Sequence, residues 1–115
     1  MIYFLSNHKD TSAIEAMTGE SCTVIPHPYI EPEWTISEIK QRCATIIQQA
    51  ITAEKLVING DYTLVSLIVI ARHQAGKRTG FMAMKKLNEP SNEKDKEGNI
   101  VHRNVLKPIG IRWIE

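Results

Sequence analysis

The sequence predicts an α/β fold: a three-layer core on a mostly parallel sheet, closed by a C-terminal β-hairpin. Three observations lead there. From residue 2 to residue 76, short apolar runs of strand length alternate with stretches whose apolar residues recur at helical spacing. The order strand, helix, strand, helix, strand means right-handed βαβ crossovers and parallel pairing. After Gly76 the helical spacing stops, and strand-like runs flank a polar, turn-rich tract.

Each element has its own signal. Residues 2–5, IYFL, read as a short strand. Asp10 and Ser12 offer N-caps, with Ser12 and Glu15 spaced as a capping box, for a short helix that runs to about Met17 and stops at Gly19. Residues 22–25, CTVI, read as the second strand, and 26–34, PHPYIEPEW, with three prolines, as a loop. Thr35 and Glu38 form a second capping box ahead of Ile36, Ile39, Cys43, Ile46, Ile47, Ala50 and Ile51, an amphipathic stripe that predicts one helix. Residues 55–58, KLVI, form the third strand.

Asn59-Gly60 is a strong hairpin signal in isolation. Within this alternation it reads instead as a strand-to-helix turn. Gly60 permits the bend, and Asp61 caps a helix starting near Tyr62. That helix is apolar nearly all round from Leu64 to Ala71, which predicts burial on most faces and a dimer partner, and Gly76 ends it. Residues 79–87 read as a fourth strand, 88–99 as a polar turn region, and 100–106 and 109–114 as strands. The expectation is a mobile hairpin with its tip near Glu93 to Gly98, then a separate last strand.

With 115 residues, 43% of them hydrophobic, residues 1–115 form one domain. No run approaches the length of a membrane span, and Ile2 to Leu5 is too short for a signal peptide. The expected setting is cytoplasmic, with no membrane partner. Cys22 and Cys43 are too few for a disulfide framework and read as buried, inert thiols. Fourteen Lys and Arg against thirteen Asp and Glu leave a net charge of +1, so a long nucleic acid is not the expected partner. The charge is uneven. Residues 1–71 hold four Lys/Arg and eight Asp/Glu, net −4; residues 72–112 hold ten and four, net +6. A basic second half on a nearly neutral chain points to a local anionic ligand.

In open α/β sheets, ligands bind beyond the carboxyl ends of the parallel strands. Three loops leave those ends: Ser6-Asn7-His8-Lys9, Asn59-Gly60-Asp61-Tyr62-Thr63, and the Lys85-Lys86 region. Hydroxyls, amides, N–H groups at helix starts and two lysines suit phosphate and ribose. Gly76-Lys77-Arg78-Thr79 is no P-loop, since it follows a helix rather than opening one. His8, His27, His73 and His102 lack metal-ligand spacing, so no metal and no cofactor is expected. Trp34 and Trp113 read as packing anchors.

IYFLSNHK at the start, LVINGDYTLVSLIV in the centre, MAMKK, a charged hairpin and VHRNVLKPIGIRWIE together resemble the small standalone CRISPR-associated ring nucleases of type III systems. The resemblance spans the chain in outline and is most specific from Leu56 to Glu115. Where that family's strand ends in Thr-Thr-Lys-Arg, this chain has Ala83-Met84-Lys85-Lys86; where its closing segment has Phe-x-His-x-x-Phe-Arg, this chain has Leu106 to Arg112 without the histidine. The resemblance implies a Rossmann-like, CARF-like core and a homodimer. It also implies metal-independent cleavage of cyclic oligoadenylate, usually cyclic tetra-adenylate, to linear products with a 2′,3′-cyclic phosphate. On it, Ser6, Asn7, His8 and Lys9 contact ribose or phosphate, with His8 the candidate acid. Gly60, Asp61, Tyr62 and Thr63 contact ribose, base or phosphate. Lys85 and Lys86 neutralise phosphates, and residues 89–103 fold over the ligand as a lid. Two other classes stay open: a sponge or sensor that holds the ring uncut, and an unrelated α/β protein that binds a nucleotide or serves as a subunit.

Overall fold

The computed structural model describes residues 1–114; Glu115, the last residue of the closing motif, lies outside them. The chain runs β1 (Ile2–Ser6), α1 (Ser12–Thr18), β2 (Cys22–Pro26), α2 (Ile36–Arg42), α3 (Ala44–Thr52), β3 (Lys55–Ile58), α4 (Tyr62–Gln74), β4 (Arg78–Lys94) and β5 (Ile100–Ile114). The five strands form one sheet, ordered β2-β1-β3-β4-β5. β1 pairs in parallel with β2 and β3, and β3 with β4; only β5 runs antiparallel, against β4. The predicted α/β architecture with a C-terminal hairpin is the observed one.

Right-handed crossovers decide which face each helix covers. The chain moves outward from β1 to β2, then back across β1 to β3 and on to β4. α1 therefore covers one face, and α2, α3 and α4 cover the other. Two core clusters follow. Leu5, Ile25, Leu56 and Ile58 pack with Ile39, Cys43, Ala50, Leu64 and Ile68 on the three-helix side. Ile2, Phe4 and Val57 pack with Ile14 on the α1 side, joined by Met82, Ile111 and Trp113. Much of the apolar circumference of α4 is thus covered within the chain. Leu64 and Ile68 are buried, Val65, Leu67 and Val69 pack against the same cluster, and Ile70 is left exposed.

Several boundaries differ from the sequence reading, each for a local reason. The α1 capping box does not form. Asp10 accepts both the N–H and the hydroxyl of Ser12 (2.9 and 2.6 Å), which occupies the would-be cap. The N-cap is Thr11, whose hydroxyl donates to Glu15 at 2.6 Å. The stripe from Ile36 to Ile51 is two helices, because Cys43 (φ −103, ψ 15) leaves helical geometry. The Thr35–Glu38 capping box is present. α4 ends as predicted: Gly76 has φ 70, its N–H bonds the His73 carbonyl, and the N–H of Lys77 bonds that of Arg72.

The largest departure is the C-terminal ribbon. β5 is one strand, not two. A bulge between Met84↔Pro108 and Ala83↔Gly110 absorbs Ile109 and lets the strand run through Pro108. β5 is an edge strand, where a missing N–H is tolerated. The tip is where it was predicted: Asp95 accepts the N–H groups of Glu97 and Asn99, and Gly98 has φ 84.

Arg72 organises the other end of the sheet. It is fully buried, and its guanidinium donates to the carbonyls of Ala50 (2.8 Å), Ile51 (3.3 Å), Ala53, Glu54 (3.2 Å) and Arg78, and to the Thr79 hydroxyl (2.8 Å). One side chain thereby satisfies carbonyls at and just beyond the end of α3 and ties them to the entry of β4, while Lys77 Nζ donates to the Thr52 carbonyl between them. Burial lowers its pKa from the usual arginine value.

Candidate functional site

β1 and β3 are neighbours, yet the chain leaves them in opposite lateral directions. That makes the crevice beyond their carboxyl ends the topological switch point, where ligands bind in open α/β sheets. Hydrogen bonds tie the loops after β1, β2 and β3 together. The N–H of Asn59 bonds the Leu5 carbonyl at 3.0 Å, and the N–H of His27 bonds the Ser6 carbonyl at 3.3 Å. The N–H of Asp61 donates to Nε2 of His27 at 3.0 Å.

Asn7, His27, Pro28, Tyr29, Ile30 and Asp61 line an open cleft of about 280 Å³ at this point. Asn7 supplies an amide and Asp61 a carboxylate. Tyr29 supplies an exposed aromatic ring on a loop stiffened by Pro26, Pro28 and Pro32. A polar floor with an exposed aromatic wall suits a base and its ribose.

The predicted residues fall into three groups. Asn7 and Asp61 meet in the cleft. Gly60, Tyr62 and Thr63 adjoin Asp61 in the chain but do not line the cleft. Asp61 caps α4, accepting the N–H groups of Thr63 (2.9 Å) and Leu64 (3.1 Å), so the Thr63 donor is occupied. Tyr62 stands 90% exposed. Ser6 is buried, and its hydroxyl accepts the N–H of His8 at 3.0 Å, which sets the course of the loop. His8 and Lys9 are exposed beside it.

Lys85 and Lys86 form the third group and stand apart from the cleft. β3–β4 pairing stops at Val57↔Gly80. Five further residues at about 3.3 Å each put Lys85 roughly 17 Å along the ribbon. Lys85 pairs with Lys107 and Lys86 with Leu106, so the two lysines face opposite sides. Of the predicted lid, Glu93 pairs with Arg103, and Glu89 with Lys107 at 2.7 Å.

His27 is the residue that sequence reasoning missed. Its ring lies against Gly60, where an added Cβ would sit 2.1 Å from Cδ2. Gly60 has φ 151, so both the close approach and the dihedral call for glycine. The available signal was positional: β2 is also parallel, so the loop after it leaves at the same end of the sheet as the loops after β1 and β3.

Cys43 is buried behind the site; burial, and then the Asp61 carboxylate, push its thiol up. Burial, and then Glu15, raise Cys22 as well. Both are poor thiolates. Trp34 and Trp113 each carry an arginine over the ring, Arg42 and Arg78 respectively, at 4.9 Å, and each packs on a core cluster. Among the described residues, no three His, Cys, Asp or Glu side chains gather as a metal site, and no helix is long and apolar enough to cross a membrane. No family model, curated protein or solved structure matches this chain.

Proposed function

We propose that this chain is a cytoplasmic, homodimeric ring nuclease. It binds cyclic oligoadenylate, cyclic tetra-adenylate in the first instance, at the β1/β3 crevice and cleaves it to linear products, switching off type III CRISPR signalling. The observation that carries the reading is the convergence of Asn7, His27 and Asp61 in one cleft at the switch point. The sequence resemblance supplies the ligand class.

The reaction asks little of the protein. A ribose 2′-oxygen forms a bond to the adjacent phosphorus, and the bond from phosphorus to the 5′-oxygen breaks. The 2′-hydroxyl loses a proton and the 5′-oxygen gains one. The products are a 2′,3′-cyclic phosphate and a free 5′-hydroxyl. Catalysis then rests on in-line placement and charge. Asn7 and Asp61 hold ribose or base, His8 gives the proton to the leaving oxygen, and Lys85 and Lys86 neutralise phosphates from the ribbon. No cofactor and no metal enters these steps.

A second reading, a sponge that holds the ring intact, is favoured by the placement of both lysines outside the cleft. One experiment separates the two: pure protein with cyclic tetra-adenylate in EDTA, products resolved by chromatography. Linear products with a cyclic phosphate end support the nuclease. A retained intact ring supports the sponge, and no interaction removes both.

A further inference from the structure

The cleft at the β1/β3 crevice is small and carries no cation. Its open volume is about 280 Å³, the small end of ligand sites and room for one base with its sugar. No Lys or Arg lines it, and Asp61 brings a carboxylate. A phosphate would meet repulsion there rather than a partner.

The polar atoms left over define what the cleft can read. Both ring nitrogens of His27 are in use, one on the Asp61 N–H and one on the Pro28 carbonyl. Asp61 accepts the N–H groups of Thr63 and Leu64 through the same oxygen, Oδ1. Among the described residues, no donor meets its Oδ2. Asn7 and Tyr29 are exposed, and among the described residues neither side chain makes a hydrogen bond. The free set is thus two acceptors, Asp61 Oδ2 and Asn7 Oδ1, beside one amide donor, Asn7 Nδ2. An exocyclic amine has two N–H groups for two acceptors, and a ring nitrogen next to it takes the amide donor. Adenine presents that pattern at N6 and N7. Guanine and hypoxanthine carry a carbonyl in place of this amine, which would set acceptor against acceptor.

Tyr29 supplies the face. Its neighbour Ile30 packs on the core and anchors the loop, while Tyr29 is 74% exposed and belongs to neither core cluster. Pro26, Pro28 and Pro32 stiffen the loop around it. An aromatic ring held out on a stiff loop stacks a base at little ordering cost.

We infer that the cleft is an adenine subsite: Tyr29 stacks on the purine, Asn7 and Asp61 Oδ2 read its 6-amino edge, and phosphates stay outside. The inference rests on the proposed function for placing the ligand in this crevice. It goes further by assigning the cleft to a base rather than a phosphate and by giving Tyr29 a role.

Titration of the whole chain with adenosine monophosphate and with inosine monophosphate, followed by amide NMR, tests it. The second replaces the 6-amino group by a carbonyl and leaves sugar and phosphate unchanged. Adenosine monophosphate at millimolar concentration should shift the amide signals of Asn7, Tyr29 and Asp61, and inosine monophosphate should bind about tenfold more weakly. Tyr29→Ala should weaken adenosine monophosphate about tenfold, and Tyr29→Phe should restore it. Asn7→Ala should bring the two affinities together, a change that a merely structural role would not produce. Both side chains are exposed, so the variants should keep the wild-type far-UV spectrum. No binding of adenosine monophosphate, equal affinities in the wild type, an unchanged affinity in Tyr29→Ala, or a preference that survives Asn7→Ala would each overturn the inference. Cleavage of cyclic tetra-adenylate is scored separately. An intact ring beside a kept adenine preference removes the nuclease reading alone, and a cut ring in a protein indifferent to Tyr29 removes the subsite alone.

Discussion

Nε2 of His27 accepts the backbone N–H of Asp61 at 3.0 Å, across 34 residues of sequence. Its Nδ1 lies 2.7 Å from the Pro28 carbonyl. An amide donor on one nitrogen and a carbonyl on the other fit only a neutral ring with its proton on Nδ1. The imidazole therefore acts as a strut between the loops after β2 and β3, and it holds Asp61 where Asp61 caps α4.

That strut makes a prediction about pairs of substitutions. Gly60→Ala drives a Cβ into the His27 ring and strains the dihedral, which should cost about 1–3 kcal/mol. His27→Ala should cost about 1–3 kcal/mol through the unpaired Asp61 amide. The double variant should cost less than the sum, because the clash disappears with the ring. Urea denaturation of the four proteins checks this. Strict additivity would mean that the two residues do not touch.

Arg72 yields a prediction about the opposite end of the sheet. Its partners are five backbone carbonyls and one hydroxyl, with no carboxylate among them. Arg72→Ala orphans that set and should remove about 3–5 kcal/mol, much of the stability of a small domain. Arg72→Lys should recover only part, because an ammonium has three donors where the guanidinium has five. Denaturation midpoints give the order. An Arg72→Ala protein as stable as wild type would show that α3 ends without this anchor.

The alternation of apolar runs carried most of the fold, because it reports burial on two faces of a sheet. It resolved Asn59-Gly60-Asp61 as a crossover turn although the dipeptide alone favours a hairpin. The misses have local causes. Ser12 matched a capping pattern that Asp10 pre-empted. Pro108 looked like a strand end because only the structure shows that β5 is an edge. Arg72 counted as one more cation, since nothing in a linear pattern tells a buried guanidinium from a solvated one. His27 sat among prolines and was weighed only as a metal ligand. Within the site, Asn7 and Asp61 were legible from their place after parallel strands. The reach of Lys85 and Lys86 depended on how far β4 outruns β3, which composition does not record.

Glu20 supplies a pH dependence. The Lys55 ammonium at 2.8 Å, and then the chain N-terminus at 3.4 Å, hold its carboxyl below the usual 4.5. The folded state thus keeps this carboxylate ionised at a lower pH than the unfolded chain does. Its contribution is present above the usual carboxylate range and is lost as pH falls through the folded value. Thermal midpoints of Glu20→Gln and wild type should differ slightly at neutral pH and converge in strong acid. Curves that stay parallel would assign the acid slope elsewhere.

Lys85 and Lys86 test the ligand. Under the proposed function, Lys85→Ala with Lys86→Ala should weaken cyclic tetra-adenylate binding at least tenfold, since a charge-assisted contact is worth about 1.5–3 kcal/mol. Because the two lysines face opposite sides of the ribbon, the single variants should differ, one carrying most of the loss. Calorimetry on folded proteins decides it. Unchanged affinity in the double variant would confine the ligand to the cleft at Asn7 and Asp61.

His8 tests the chemistry. Its backbone N–H is held by the Ser6 hydroxyl at 3.0 Å, while its side chain is exposed. Among the described residues, no hydrogen bond or salt bridge to its ring is present. An exposed imidazole on a fixed backbone can serve as a proton donor to a leaving oxygen. Under the proposed reaction, His8→Ala should slow single-turnover cleavage by about 10²–10⁴-fold, with the ring still bound within a few fold. His27→Ala should behave differently, weakening binding and stability together because it releases the loop rather than removing a proton donor. Cleavage at the wild-type rate in His8→Ala would remove the acid from the scheme. In-line placement and phosphate charge would then carry the reaction alone, with the 5′-oxygen taking its proton from water.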